Sequence, residues 1–167
     1  AKADDLAGVR SHAPKIELIK KSKSNASGNT SPAAVTLLGS GAILTEVIKA
    51  ARQLAAQGVT AYVYSVTSWS ELARDGLACQ DARLAGASNA DVPFIYTQLG
   101  TSQGPIIAAT DYVHALPESV RAYLPADRRY LTLGTDGFGR SDTRAALREY
   151  FGVDAAAIVR AAVLALE

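Results

Sequence analysis

The sequence predicts an α/β domain in which a sheet is covered by helices on both faces. Three observations carry that prediction. Short apolar runs recur along the chain, most are followed by residues apolar at helical spacing, and glycines lie at the junctions. The run "KIELIKK" at 15–21 reads as a strand, and "KSKSNASGNTSP" at 21–32 as a polar loop without periodicity. "AVTLLGSG" gives a buried strand from Ala34, closing on Gly39 and Gly41. Ile43, Leu44, Val47, Ile48, Ala51 and Leu54 then recur at helical spacing up to Gly58, which stops the helix. "TAYVYSV" at 60–66 is a second buried strand, and Ser68 with Glu71 forms a capping box for a helix that Gly76 is expected to interrupt. The stretch from Asp81 to Gly104 shows no clear period. "PIIAAT" at 105–110 is the next strand, with Asp111 to Tyr123 helical behind it and Pro117 splitting or restarting that helix. "YLTLGT" at 130–135 is the last strand, followed by helices over Ser141 to Phe151 and Asp154 to Leu166. Successive strands joined through helices run parallel, so ligands would be sought at their C-terminal ends, in loops 39–42, 66–70, 110–112 and 134–141.

Composition limits the function classes. With 167 residues, 49% of them hydrophobic, the chain makes one globular domain with a full core. A net charge of +1 gives no electrostatic footprint for nucleic acid or an anionic membrane. No run reaches the roughly 18 apolar residues of a membrane span. One cysteine, Cys79, and two histidines, His12 and His114, exclude a disulfide framework and a Cys/His zinc site, which suits a reducing, cytoplasmic setting. The chain starts at Ala1 and contains no methionine, as expected of a fragment of a longer polypeptide.

The motifs are mostly negative. Gly39-x-Gly41 has Leu44 where the dinucleotide fingerprint needs a third glycine, and the strand at 60–66 lacks the ribose-binding carboxylate. Gly137-x-Gly139 has Asp142 at the third position. No phosphate-binding lysine loop or G-x-S-x-G elbow occurs. In "LGTDGFGRSDTR" at 133–144, Asp136 and Asp142 balance Arg140 and Arg144, and Asp142 would fall in the first helical turn, where its carboxylate complements the dipole an anion would use. A strand-to-helix turn capped by Ser141 outweighs a phosphate cradle. Asp111 and His114, three apart, could share a helix face, but two residues do not make a metal site, and His114 reads as a surface or interface residue. Cys79 has Arg74 and Arg83 nearby in sequence, yet a single buried cysteine is inert as a rule. Tyr62, Tyr64 and Trp69 read as core or interface aromatics, because no basic groove accompanies them. No catalytic, cofactor-binding or metal-binding residue is assigned.

The segments "VTLLGSGAILTEVIKAA", "VYSVTSWSELARDG", "AATDYV", "VRAYLPADRRYLTLGTDGFGRSDTR" and "LREYFGVDAAAIVRAAVLAL" resemble the C-terminal domain of the homodimeric, bacterial-type pyruvate dehydrogenase decarboxylating components. These belong to the transketolase-like, thiamine-diphosphate-dependent family. The resemblance covers Ala34 to Leu166. It implies a three-layer α/β/α sandwich on a five-stranded mixed sheet, with "KIELIKK" as the antiparallel strand. It divides the chain into an N-terminal segment, 1–33, with one strand and a polar loop, and a C-terminal-domain-like unit, 34–167. Thiamine diphosphate and Mg²⁺ would sit in the parent enzyme between its other domains, which carry a GDG…NN motif. This chain has Thr135-Asp136-Gly137 but no Gly-Asp-Gly and no Asn-Asn pair. The implied parent reaction is decarboxylation of pyruvate and reductive acetyl transfer to the lipoyl group of an acyltransferase partner. The domain's implied share is assembly, with the parent's other domains and a homodimer mate as partners. Arg140, Arg144 and Arg148, spaced by four, are expected to line one helix face, and Asp136, Asp142 and His114 complete the candidate interface set. The alternative is a regulatory α/β module binding a small anion or nucleotide. "LACQDARLAGASNADVP" and Pro117 depart from the family pattern, which leaves pyruvate and a slightly larger 2-oxo acid as parent substrates.

Overall fold

The computed structural model describes residues 16–21, 33–88 and 91–167. The polar loop expected at 21–32 lies outside the described residues apart from its first residue, as does His12.

Strand β1 (Ile16–Lys21) is followed by β2 (Ala34–Gly39), a 3₁₀ turn at Gly41–Ile43 and helix α1 (Leu44–Ala56). Then come β3 (Thr60–Val66), α2 (Trp69–Leu84), α3 (Phe94–Leu99), β4 (Ile106–Ala109), the single-turn α4 (Ala115–Glu118), a 3₁₀ turn at Arg121–Tyr123 and β5 (Tyr130–Leu133). Helices α5 (Arg144–Tyr150) and α6 (Ala155–Leu166) complete the domain. The body of the sheet is four parallel strands in the order β3-β2-β4-β5. β1 lies antiparallel along the outer side of β3, pairing Ile16 with Val66 and Lys21 with Tyr62.

Strand pleating separates two cores. Val35, Leu37, Ala61, Val63, Ile107 and Ala109 point to one face, where they meet α1 and α6 through Val47, Leu54, Ile158 and Ala162. Leu38, Tyr62, Tyr64, Ile106, Ala108 and Tyr130 point to the other, where α2, α3 and the segment through Val120 and Leu124 cover them. Alternate residues of a strand face opposite sides, so adjacent residues such as Leu37 and Leu38 serve different layers. The sheet is buried on both faces, which is why its strands read as continuous apolar runs. Tyr62, Tyr64 and Trp69 are buried core aromatics, as their spacing suggested.

Several boundaries differ from the sequence reading. Gly76 does not interrupt α2. A Cβ there would come within 2.3 Å of the Tyr123 ring carbon Cγ, so the glycine is a packing notch in a continuous helix. Asp111 to Tyr123 is not one helix but α4 plus a 3₁₀ turn, with Pro117 inside the single turn of α4. The stretch without clear period contains α3, whose first N–H, on Phe94, donates to Asp75 Oδ2 at 2.6 Å. Helix α5 starts at Arg144 rather than Ser141, and Thr143 rather than Ser141 caps it, accepting from the Ala146 N–H. Ser68 caps α2 through the Glu71 N–H at 3.2 Å, while the Glu71 carboxylate turns to Arg74.

Candidate functional site

The parallel order places β2 and β4 side by side, with their chain connections leaving in opposite directions, so the crevice beyond their C-terminal ends is where a ligand would be sought. The protein fills that point with its own side chains. The Trp69 indole N–H donates to Ser40 Oγ at 3.1 Å, and the Ser40 hydroxyl donates to Thr110 Oγ1 at 2.8 Å. All three residues are buried, and the Ser40 N–H is satisfied by the Ala109 carbonyl. This network spends the Trp69 indole N–H and the Ser40 hydroxyl on each other and on Thr110 at the C-terminal ends of β2 and β4.

Beside this plug lies an open cleft of about 440 Å³. The loops after β2, β4 and β5 form one wall through Ala42, Asp111 and Thr135, and α5 forms the other. Ile43, Leu147, Phe151 and Val153 give an apolar floor, and Arg140, Arg144 and Arg148 all reach its lining. The three arginines therefore share a cleft, but they do not line one helix face. Arg140 lies four residues ahead of α5, with its guanidinium over the Tyr150 ring at 4.0 Å. Arg148 is turned inward, donating to Glu46 Oε1 at 2.7 Å. Neither Arg140 nor Arg144 makes an ion pair among the described residues.

Glu46 is a site residue that the sequence reading passed over. It belongs to the buried side of α1, and its carboxylate accepts from Lys49, from Arg148 and from the Ala155 N–H at 3.3 Å. Burial by itself would raise its pKa. The Lys49 hydrogen bond and charge, the Ala155 N–H and the Arg148 charge outweigh that and hold the carboxyl below its ordinary value. The signal in the sequence was an acid set among apolar residues on the inward side of an amphipathic helix.

His114 does not pair with Asp111. Its backbone N–H donates to Asp136 Oδ1 at 3.0 Å, and its ring Nδ1 lies 2.6 Å from Asp136 Oδ2. The Gly134 N–H donates to Nε2 at 3.1 Å, which places the ring proton on Nδ1. Both ring nitrogens are occupied, so the imidazole has no free lone pair for base catalysis. It ties the loop after β4 to the loop after β5, reinforced by the Thr135 hydroxyl donating to the Asp111 carbonyl and the Thr135 N–H to Tyr112. The His114 N–H, and after it the ring, hold the Asp136 carboxyl below the usual range. Asp136→Ala is expected to raise amide hydrogen exchange at Gly134 and His114 selectively, leaving β2 and β3 amides unchanged. Unaltered exchange at these two positions would show that the pair does not hold the loops.

Asp142 lies ahead of α5 rather than in its first turn, and its Oδ1 accepts from the Thr143 N–H at 2.6 Å. The cleft lining sets Asp111 against Arg140, Arg144 and Arg148, an excess of positive charge that Glu46, bound to Arg148, reduces, so the balance seen in the sequence does not hold for the cleft itself. Among the described residues no three His, Cys, Asp or Glu side chains converge on a metal position. Cys79 is buried on α2, away from these loops in the sequence and on the opposite face of the sheet from Glu46. No helix among the described residues is long and apolar enough to cross a membrane.

Comparison with known proteins agrees with this architecture. Over 158 residues, 93% of the chain, it is 46% identical to the "Pyruvate dehydrogenase E1 component" of Escherichia coli. Over 132 residues, 78% of the chain, it is 46% identical to the protein of the same name from Mycobacterium tuberculosis. The chain spans only 16% and 14% of the lengths of these two relatives. Among solved structures, "Split gene transketolase, inactive beta4 tetramer" superposes with a TM-score of 0.55 at 20% identity, covering 91% of this chain and 41% of that one. Transketolase from Campylobacter jejuni gives the same TM-score at 18% identity, covering 91% of this chain and 19% of that one. At such identities the superpositions speak for the fold alone. The family described as "Transketolase-like TK C-terminal domain" matches residues 23–154, and the chain belongs to that family.

Proposed function

We propose that this chain is the C-terminal domain of a thiamine-diphosphate-dependent pyruvate dehydrogenase decarboxylating component, and that its own share of the work is assembly. The observation that supports this most is the 46% identity over 158 residues to a relative of that name. The geometry suits a non-catalytic part: the C-terminal ends of β2 and β4 are plugged, and the His114–Asp136 pair is consumed in bracing two loops. The residues present do not fit the cofactor, because the cleft offers guanidiniums and scattered single carboxylates rather than converging oxygen ligands for a metal-diphosphate group. Thiamine diphosphate and Mg²⁺ would be held by other domains of the parent. The alternative of a small-anion or nucleotide-binding regulatory module is not favoured, since the relatives matched at 46% identity carry the name of a pyruvate dehydrogenase component.

In this reading the parent decarboxylates pyruvate and passes the acetyl group to a lipoyl-bearing acyltransferase, acting as a cytoplasmic homodimer. The candidate interface residues divide by task. Arg148 and the His114–Asp136 pair brace the domain internally, whereas Arg140, Asp142 and Arg144 face outward and are available to neighbours.

The test is an assay of the purified polypeptide that carries this chain. Pyruvate-dependent reduction of an artificial acceptor is expected only when thiamine diphosphate and Mg²⁺ are supplied, and 2-oxobutanoate should be compared as the larger substrate. Absence of turnover with either acid would sink the reading. Calorimetric titration of the 167-residue chain with thiamine diphosphate and Mg²⁺ is expected to give no binding heat.

A further inference from the structure

The loop after β5 carries Phe138 with 97% of its surface exposed, the most exposed of the large apolar side chains. A phenyl side chain left in water gives up roughly 2 kcal/mol of burial free energy, and exposed apolar residues that gather at one place mark interaction sites. The loop is fixed on both sides of Phe138. Ahead of it, Thr135 and Asp136 are bound to the loop after β4. Behind it, Arg140 is stacked on Tyr150. The same end of the domain exposes Tyr112, Val113 and Tyr150, and of these Tyr112, through its carbonyl on the Thr135 N–H, and Tyr150, under Arg140, touch the Phe138 loop. Arg140, Asp142 and Arg144 follow within six residues of Phe138 and line the adjoining clefts, a polar set with one positive charge in excess. An aromatic held in place with polar groups nearby is the form that energetic anchors take in protein interfaces. Preorganisation of the loop removes part of the entropy cost of docking.

We propose that Phe138 is the anchor by which this domain docks onto another domain of the same longer polypeptide, inserting into an apolar socket there. The inference rests on the reading of the chain as one domain of a longer enzyme. The choice of occupant follows from length, since the chain spans 14–16% of the relatives quoted and most of such a polypeptide is available to supply the socket.

The test uses the full polypeptide with benzoylphenylalanine in place of Phe138, a replacement that keeps an aromatic side chain on an exposed position. Isotopically light and heavy copies are mixed, irradiated and mapped. Crosslinks from position 138 to another domain within one copy are expected. Crosslinks only between light and heavy copies, or none beyond residues of this domain, would overturn the proposal. Phe138→Ser in the same polypeptide should raise amide exchange at Thr135 to Gly139 by about thirtyfold, the loss typical of an interface hot spot, and unchanged exchange there would count against an anchor. An active polypeptide without the crosslink overturns the docking alone. A polypeptide without thiamine-diphosphate-dependent turnover overturns the functional reading, whatever its crosslinks.

Discussion

Gly104→Ala is expected to destabilise the domain by about 3 kcal/mol or more, from a strained backbone and a steric clash acting together. Gly104 has φ +73, and a Cβ there would stand 1.7 Å from the Ala34 carbonyl oxygen. That oxygen belongs to the first residue of β2, at the end of the sheet opposite the cleft, so neither partner can rotate away. The neighbourhood is also tied by hydrogen bonds. Arg128 donates from Nε to the Gly104 carbonyl at 2.6 Å, the Thr36 hydroxyl donates to Gln103, and the Thr36 N–H donates to the Pro105 carbonyl at 2.8 Å. Moving the 103–105 turn to admit a methyl group would therefore disturb the entry to β4 and its pairing with β2. Gly58→Ala serves as the control, because Gly58 has φ +81 but nothing lies within 4 Å of an added Cβ. That change should cost only the backbone term, about 1 kcal/mol. In thermal melts Gly104→Ala should fall by on the order of 10 °C, well beyond Gly58→Ala. Equal shifts for the two would show that the contact with Ala34 is easily relieved.

Glu46→Ala is expected to cost about 2–4 kcal/mol, because it strands Arg148 and the Ala155 N–H at the join of α1, α5 and α6. The Glu46 side chain is only 7% exposed, while that of Arg148 is 22% exposed and can regain some water, which keeps the figure below that of a sealed ion pair. Glu46→Gln keeps an acceptor for the Ala155 N–H and should cost less. The native pKa of Glu46 is lowered, so its contribution is complete above the ordinary value of 4.5 and is lost as pH falls through the native value. Stability of the native protein measured by urea unfolding should thus show an acid-side decline that the Glu46→Gln variant lacks in part. Parallel pH profiles for the two proteins would mean that the ionised carboxylate adds nothing.

Much of the architecture was legible because it rests on local pattern. The runs that became β2, β3, β4 and β5 were visible as apolar stretches, since strands buried on both faces must be apolar throughout. Ser68 could be recognised as a cap from its neighbour at the third position, Glu71. The start of α5 was misread because Ser141 and Thr143 are both good caps, and the choice between them depends on where Asp142 and the loop are held. Gly76 was misread because a helix-breaking residue and a packing notch look alike until Tyr123, far along the chain, is seen against it. Family resemblance was legible in motif order, which no periodicity argument supplies.

At the candidate site the balance reverses. His114 and Asp136 are separated by a strand, and Glu46 and Arg148 lie more than a hundred residues apart, so their pairing was invisible to spacing rules that see three or four residues ahead. The arginine periodicity of four predicted a shared helix face and failed, because Arg140 precedes the helix. The sheet nevertheless brought all three arginines to one cleft by a different route. By itself the sequence determined the α/β class, the residues of the strands and the absence of nucleotide-binding loops, since these depend on side-chain character and near neighbours. Only the tertiary structure decided that the crevice between β2 and β4 is plugged by Trp69, Ser40 and Thr110, that Arg148 is spent on Glu46, and that Phe138 is left outside. These are contacts between segments distant along the chain, and which groups remain free is known only once the others have met.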